Sequence, residues 1–317
     1  KNKKEKIMGK KTNANIGARL DRLPQSKWHI KMWLVTAFAL LVCWSNGIGG
    51  AVQNILNEIG WFEGSAGLLA MWGTSYTIGQ LFGALIGGPI GDKIGRKKSI
   101  LLYEVIHIIA MIGGACSPNV YVLFVFRVIQ GIALGALLVV LFAGFTEYVP
   151  GKNRGTWSSR TSFIGNWAHP ICNGIALLIV SAGVSQAMNW RIQFMIPSIL
   201  SIIYVKFPES PRWLESQGRV EEADAIMTKI EKEIEKSTGK ALPPVQEVAE
   251  KPVKKLPYSA LFKGKLLKRT IVGSLVLIGM NTIQYTLMNW MPTLLSSWGY
   301  DTKDSQFMTM FGLFGAP

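Results

Sequence analysis

Five nearly unbroken apolar stretches, 35–42, 68–90, 100–115, 120–145 and 171–182, constrain this chain more than any other feature. They are interrupted mainly by Gly, Ser, Thr, Asn and Trp, and with their flanks most reach the roughly 20 residues that cross a bilayer as a helix. The pattern predicts an all-α polytopic membrane protein with spans over 32–56, 67–90, 99–116, 120–147, 161–183 and 190–207. A seventh span is expected over 270–295. An eighth is expected from near Gln306, and the chain stops inside it at Pro317, so the expectation is an incomplete membrane domain in which a pathway between two bundles lacks one wall.

A net charge of +15 is compatible with nucleic-acid binding, but the basic residues follow the membrane instead of forming one patch. They crowd 1–31, 93–98, 152–160 and 251–269, whereas the intervening loops 57–65, 117–119 and 298–305 contain Lys303 alone. Arg191, at the mouth of the sixth span, is the other exception. The positive-inside rule then places the N-terminus and the basic loops in the cytoplasm and requires an even number of crossings before the long loop, for which six fit. The expected setting is a plasma membrane, the inner membrane in a bacterium, with a lipid bilayer and no nucleic acid as partner. The first thirty residues are polar and basic, and no small-residue cleavage site follows the first apolar helix, so no signal peptide is expected.

Four segments result: 1–31, a cytoplasmic N-terminal segment; 32–207, a six-helix bundle; 208–269, a cytoplasmic linker; and 270–317, the start of a second bundle. Within the linker Val220, Ala223, Met227, Ile230 and Ile234 recur at helical spacing among Glu and Lys, the mark of an amphipathic helix. Proline marks 240–257 as a connector. Cys43, Cys116 and Cys172 lie in or beside three different helices without metal-ligand spacing, and are read as packing residues. With no nucleotide loop, metal cluster or nucleophile constellation, the sequence predicts no enzyme, no cofactor and no metal.

Three motifs carry mechanism. Between the second and third spans stands Gly88-Pro-Ile-Gly-Asp92-Lys93-Ile-Gly95-Arg96-Lys97-Lys98, where an acid and a basic cluster meet helix ends and can form charge-assisted hydrogen bonds. In the fourth span Arg127-Val-Ile-Gln130-Gly131-Ile-Ala-Leu-Gly135 sets an arginine and two glycines at four-residue steps; the glycines permit close helix approach, and an arginine at membrane depth requires a partner, water or a solute. Alternatively, Arg127 snorkels to the interface. Glu147 and Arg154 flank the turn after that span. The third motif, Phe207-Pro208-Glu209-Ser210-Pro211-Arg212-Trp213-Leu214, follows the sixth span.

These strings resemble the major facilitator superfamily, and the third is similar to the hallmark of its sugar porters and of the related metabolite:H+ symporters. The opening Ile16-Gly-Ala-Arg19-Leu20-Asp21-Arg22-Leu23-Pro24 with Trp28-His29, and Trp290-Met-Pro292, resemble the metabolite:H+ branch. The resemblance implies a major facilitator fold, of which this chain holds the N-terminal six-helix bundle and the first helices of the second. It further implies a monomer that moves a small organic solute by alternating access, an organic or aromatic acid with H+ being preferred. A sugar or polyol porter, a uniporter, and a non-transporting sensor of the same fold are the alternatives. Cytoplasmic gating falls to Gly88, Asp92, Lys93, Gly95, Arg96, Lys97, Glu147, Arg154, Glu209 and Arg212, with Glu209 and Arg212 forming a second charge cluster.

Polar stripes mark the expected solute pathway: Asn46, Gln53 and Asn54 on the first span; Arg127 and Gln130 on the fourth; Asn166, His169 and Asn173 on the fifth; Asn281, Gln284, Tyr285 and Asn289 on the seventh. Trp72 and Tyr76 stand one turn apart on the second. One departure from the metabolite:H+ branch stands out: no carboxylate lies between Met32 and Leu56, where that branch usually carries its proton acceptors. Glu104 and His169 are the remaining proton-coupling candidates.

Overall fold

The computed structural model describes residues 15–44, 49–200, 208–245 and 258–313; within them, the side chains of 42–44, 49–51, 152, 169, 197–198, 200, 258, 284–285, 287–289 and 313 lie outside the description. The described residues are helical throughout: α1 (Ile16–Asp21), α2 (Lys27–Trp44), α3 (Gly49–Glu58), α4 (Ala66–Ile94), α5 (Arg96–Ala115), α6 (Val120–Tyr148), α7 (Arg154–Asn166), α8 (Ala168–Ser181), α9 (Gln186–Leu200), α10 (Pro211–Ser216), α11 (Val220–Thr238), α12 (Gly264–Ser297) and α13 (Thr302–Leu313).

Several boundaries differ from expectation. The fifth span begins at Arg154 instead of residue 161, and it breaks between α7 and α8 at Trp167. The polar run 154–162 hides this helix because its buried stripe is only one residue wide: Trp157, Thr161 and Gly165, at four-residue steps. The seventh span starts at Gly264, before its apolar run, and α13 starts at Thr302. By length and composition, four helices among the described residues are able to cross a membrane: Arg96–Ala115, Val120–Tyr148, Arg154–Ser181 and Gly264–Ile283. At 29 residues α4 is also long enough, but it is rich in glycine.

Those glycines position the bundle. A Cβ on Gly79, Gly83 or Gly87 of α4 would lie 2.1, 2.0 or 2.6 Å from backbone atoms of Val128, Ile132 or Ala136 on α6, and Gly131 and Gly135 meet α4 equally closely. The two backbones are therefore in contact, as small residues at a membrane helix interface permit. Gly88 is not part of this seam; its Cβ would have ordinary contact with Val139 at 3.7 Å.

Two apolar clusters flank the seam. One joins Trp72 of α4, Met111 of α5, Leu123 of α6, Cys172 of α8, and Trp190 and Phe194 of α9. The other, toward the basic end, joins Leu137 and Tyr148 of α6 to Ile16 and Leu20 of α1, Trp213 of α10, and Met227 and Ile234 of α11. The amphipathic stripe of the linker is thus buried on its predicted face. Cys172 packs as expected, whereas Cys116 at the end of α5 is exposed, and the Cys43 side chain is outside the described residues. None of Gly264–Ile283 is buried, and this surface of α12 suits hydrocarbon better than water. Farther along, α13 packs on α8, with Met310 over Gly174.

Candidate functional site

At the basic end, α4 turns into α5 through Gly95, whose φ of +100° leaves α5 without a side-chain N-cap of its own. The first amides of a helix need acceptors. Glu209 supplies one from 113 residues away: its Oε1 accepts from Arg96 N at 2.8 Å, from Lys97 N at 3.3 Å and from Ser210 N at 3.1 Å. A carboxylate at that position also complements the helix dipole. The fit is tight, because a Cβ on Gly95 would lie 2.6 Å from Glu209 Oε2 and 3.0 Å from the Trp213 ring.

The Arg96 side chain ties the helix ends together. Its Nη1 lies 2.7 Å from Asp92, and its Nη2 and Nε reach Glu147 Oε1 at 2.7 and 3.0 Å. Trp213 Nε1 donates to Asp92 O at 2.8 Å, and the Tyr148 hydroxyl donates to Glu209 O. Asp92, Gly95, Arg96, the Lys97 backbone, Glu147 and Glu209 therefore form one cluster, not two. Arg212 stands apart and faces Asp21 at 3.6 Å. Lys93 is exposed and Gly88 is uninvolved. Among the described residues Arg154 pairs with none of the cluster, because it lies within α7 instead of in the turn.

A further clasp holds α1 on the linker. Arg19 reaches Glu231 at 2.7 Å and Asp224 at 2.5 Å, and Arg22 reaches Glu231 at 2.6 Å. Burial works against ionisation of Glu231, but the hydrogen bonds from Arg19 and Arg22 outweigh it and hold its carboxyl below the ordinary value of 4.5.

Within the bundle Arg127 is almost fully enclosed, so it does not snorkel. Its guanidinium carbon sits 4.1 Å from the Trp72 ring centroid and 4.7 Å from that of Tyr76. Nη1 donates to Gln130 Oε1 at 3.0 Å, Gln130 Nε2 lies 2.8 Å from the Met111 sulfur, and Arg127 Nε has no hydrogen-bond partner among the described residues. Desolvated cation–π contacts are worth about 2 kcal/mol. No carboxylate among the described residues pairs with Arg127.

Gln53 and Asn54 are buried on α3 and Asn173 on α8. Asn54 donates to Glu58 at 3.1 Å. Asn166 lies elsewhere, in an open groove of about 960 Å³ between the start of α2 and α7, a groove that does not reach Arg127. Asn46 and the side chains of His169, Gln284, Tyr285 and Asn289 fall outside the described residues. Asn281 is exposed and donates to the carbonyl of Leu277.

Sequence reasoning missed three features. Asn189 and Gln193 on α9 are wholly buried and bonded to each other at 2.6 Å. Glu58 gathers Asn54, Gln186 and Thr302 at the end remote from Arg96. His107, three residues beyond Glu104 on α5, faces it at 3.3 Å; that helical spacing was legible, but a search centred on carboxylates passes over it.

Residues 51–316 match the family described as sugar (and other) transporter. A protein of Escherichia coli (strain K12) designated YdjK is 51% identical over 312 residues, 96% of this chain and 67% of that protein. The niacin transporter NiaP of Acinetobacter baylyi is 28% identical over 309 residues, covering 92% and 65%. The crystal structure of a D-xylose–proton symporter superposes with a TM-score of 0.61 at 20% identity, over 92% of this chain and 66% of that one. The chain thus spans about two thirds of the length of each of these three proteins.

Proposed function

The chain belongs to the sugar (and other) transporter family of the major facilitator superfamily, a multi-pass family of membrane transporters and not of enzymes, and from that premise we propose that it moves a small organic acid together with H+ by alternating access. The observation that carries the acid reading is Arg127: a buried cation that no carboxylate among the described residues pairs, held between two aromatic rings and one amide. Leaving a cation uncompensated in a low-dielectric site is costly, and an anionic solute removes that cost by pairing with it. Trp72 and Tyr76 offer aromatic faces to a planar acid. The relative named as a niacin transporter is in keeping with this reading.

The helix-end cluster around Arg96 acts as the gate, holding the basic ends of α4, α5, α6 and α10 together in one conformational state. Those ends and the N-terminus face the cytoplasm, and residues 1–31, 32–207, 208–269 and 270–317 serve as N-terminal segment, first bundle, linker and start of the second bundle. A monomer suffices for this mechanism. The second reading, a sugar or polyol porter, draws on the buried amides Gln53, Asn54 and Gln130, which suit hydroxyl groups. A non-transporting sensor would bind solute yet show no counterflow in liposomes.

Thermal unfolding of the whole protein against aromatic and aliphatic carboxylates and neutral sugars decides between the two readings. A ligand at about a hundred times its dissociation constant stabilises by about 2.7 kcal/mol. The acid reading expects carboxylates alone to do so, with the effect lost in Arg127→Ala. Stabilisation by sugars and not by carboxylates overturns it.

A further inference from the structure

Glu104 and His107 occupy the buried face of α5, with 4% and 1% of their surface exposed. His107 Nδ1 lies 3.3 Å from Glu104 Oε1, while Glu104 Oε2 and His107 Nε2 have no hydrogen-bond partner among the described residues. An enclosed acid and base, each with an unused polar atom, make a poor structural pair, because a buried polar group costs stability unless its bonds are made. We propose that Glu104 and His107 together form the proton-binding site of this transporter, a role that residues 32–56 of the first span cannot fill because they include no carboxylate. The proposal rests on the H+-coupled reading above and names the residues that do the coupling.

The charge balance is simple. With Glu104 ionised and His107 neutral, the pair carries one negative charge. Adding one proton, to the Glu104 carboxylate beside a neutral His107, makes the pair neutral. Enclosing a net charge costs far more than enclosing a neutral or internally paired set, so the occluded protein favours the loaded pair, and the proton leaves only when the site opens to water. No covalent bond is made or broken.

The other titratable groups on helices packed against α5 are engaged elsewhere. On α6, Arg127 is held by Trp72, Tyr76 and Gln130, and Glu147 by Arg96. On α4, Asp92 pairs with Arg96 and Lys93 is exposed; on α9, Arg191 stacks on Trp190. Tyr121 is exposed, Tyr76 lies under Arg127, and on α5 itself the hydroxyl of Tyr103 reaches the carbonyl of Gly87. Neither member of the pair has a competing ion-pair partner among the described residues.

Position links this site to Arg127. Met111 stands one helical turn beyond His107 and its sulfur meets Gln130, which in turn binds Arg127. The thioether carries no proton, so Met111 does not relay one between the two sites. It places the proton site and the anion site at opposite ends of one short chain of contacts across the α5–α6 interface.

The test is pH-difference infrared spectroscopy of the whole reconstituted protein, with the proton as the only ligand. The expected result is a carbonyl band from a protonated, enclosed carboxyl that grows as pH falls, is lost in Glu104→Gln, and persists with a displaced midpoint in His107→Gln. A band unchanged by Glu104→Gln overturns the proposal. Should Glu104→Gln fail to fold, His107→Gln decides, because an unmoved midpoint in that variant is equally fatal. A separate arm measures uptake of the stabilising carboxylates or sugars into liposomes under an imposed pH gradient. If the band behaves as expected but no uptake responds to the gradient, the pair stands as a proton site and the H+-coupled transport reading falls. If the band does not depend on Glu104 while uptake does respond, the reverse holds.

Discussion

Substituting Gly95→Ala strikes the proposed gate through the backbone. Two costs arise. The residue has a φ of +100° and ψ of 160°, a conformation open essentially to glycine, and holding alanine there costs about 1–3 kcal/mol. The new methyl would also stand 2.6 Å from Glu209 Oε2, so the carboxylate must withdraw from the amides of Arg96 and Lys97, and a hydrogen bond to a charged group contributes about 1.5–3 kcal/mol. Since the two costs relax together, about 3 kcal/mol is the expected sum, a roughly hundredfold loss of the latched state. Gly60→Ala, in the loop after α3, provides a control for a positive-φ substitution without a clash: its φ is +80° and nothing lies within 4 Å of the added Cβ. Native-state hydrogen exchange of the Arg96 and Lys97 amides reads the latch directly. Exchange should accelerate by about two orders of magnitude in Gly95→Ala and stay near wild type in Gly60→Ala. Unchanged exchange at these amides in Gly95→Ala would refute the claim that Glu209 caps α5.

In Gly83→Ala the methyl would lie 2.0 Å from the carbonyl oxygen of Ile132, so α4 and α6 must part and thermal stability should fall by about 1–3 kcal/mol; Gly73→Ala, with nothing within 4 Å, should leave it unchanged or higher. Glu231→Gln leaves Arg19 and Arg22 without their shared carboxylate, and amides in Ile16–Leu20 should exchange at least tenfold faster, corresponding to about 1.4 kcal/mol. The pH dependence has a definite sign: because the folded carboxyl of Glu231 is held below 4.5, its contribution is complete above that pH and is lost as pH falls through the lower folded value. Exchange of α1 should thus accelerate under acid in wild type and not in Glu231→Gln. Glu58→Gln, at the hub that accepts from Gln186 at 2.8 Å and from Thr302 at 2.6 Å, should loosen α13 from α3, seen as faster exchange over 302–305.

The sequence alone was enough to establish the membrane class and the amphipathic linker helix, because each depends on local pattern. Local periodicity decides which face of a helix is apolar, and so Ala223, Met227, Ile230 and Ile234 were found together. Gly131 and Gly135, the α6 side of the glycine seam, were visible for the same reason. Polar helix starts were harder: α7 begins in a stretch whose buried stripe is one residue wide, and apolar pattern alone places its start too late.

The partners of the charged residues were decided only by the tertiary structure. Nothing near Glu209 in the sequence indicates that it caps a helix 113 residues away, that Arg212 turns to Asp21 instead of joining it, or that Arg154 stays out of the cluster. Each basic residue had several acids to choose from, and electrostatic attraction is too long-ranged and too weakly directional to choose among them. The choice follows from which helix ends the packed backbones bring together, and that is set by contacts such as those of Gly83 and Ile132. Arg127 shows the same division: its spacing announced a residue facing the interior, but only the approach of α4 to α6 set Trp72 and Tyr76 against its guanidinium.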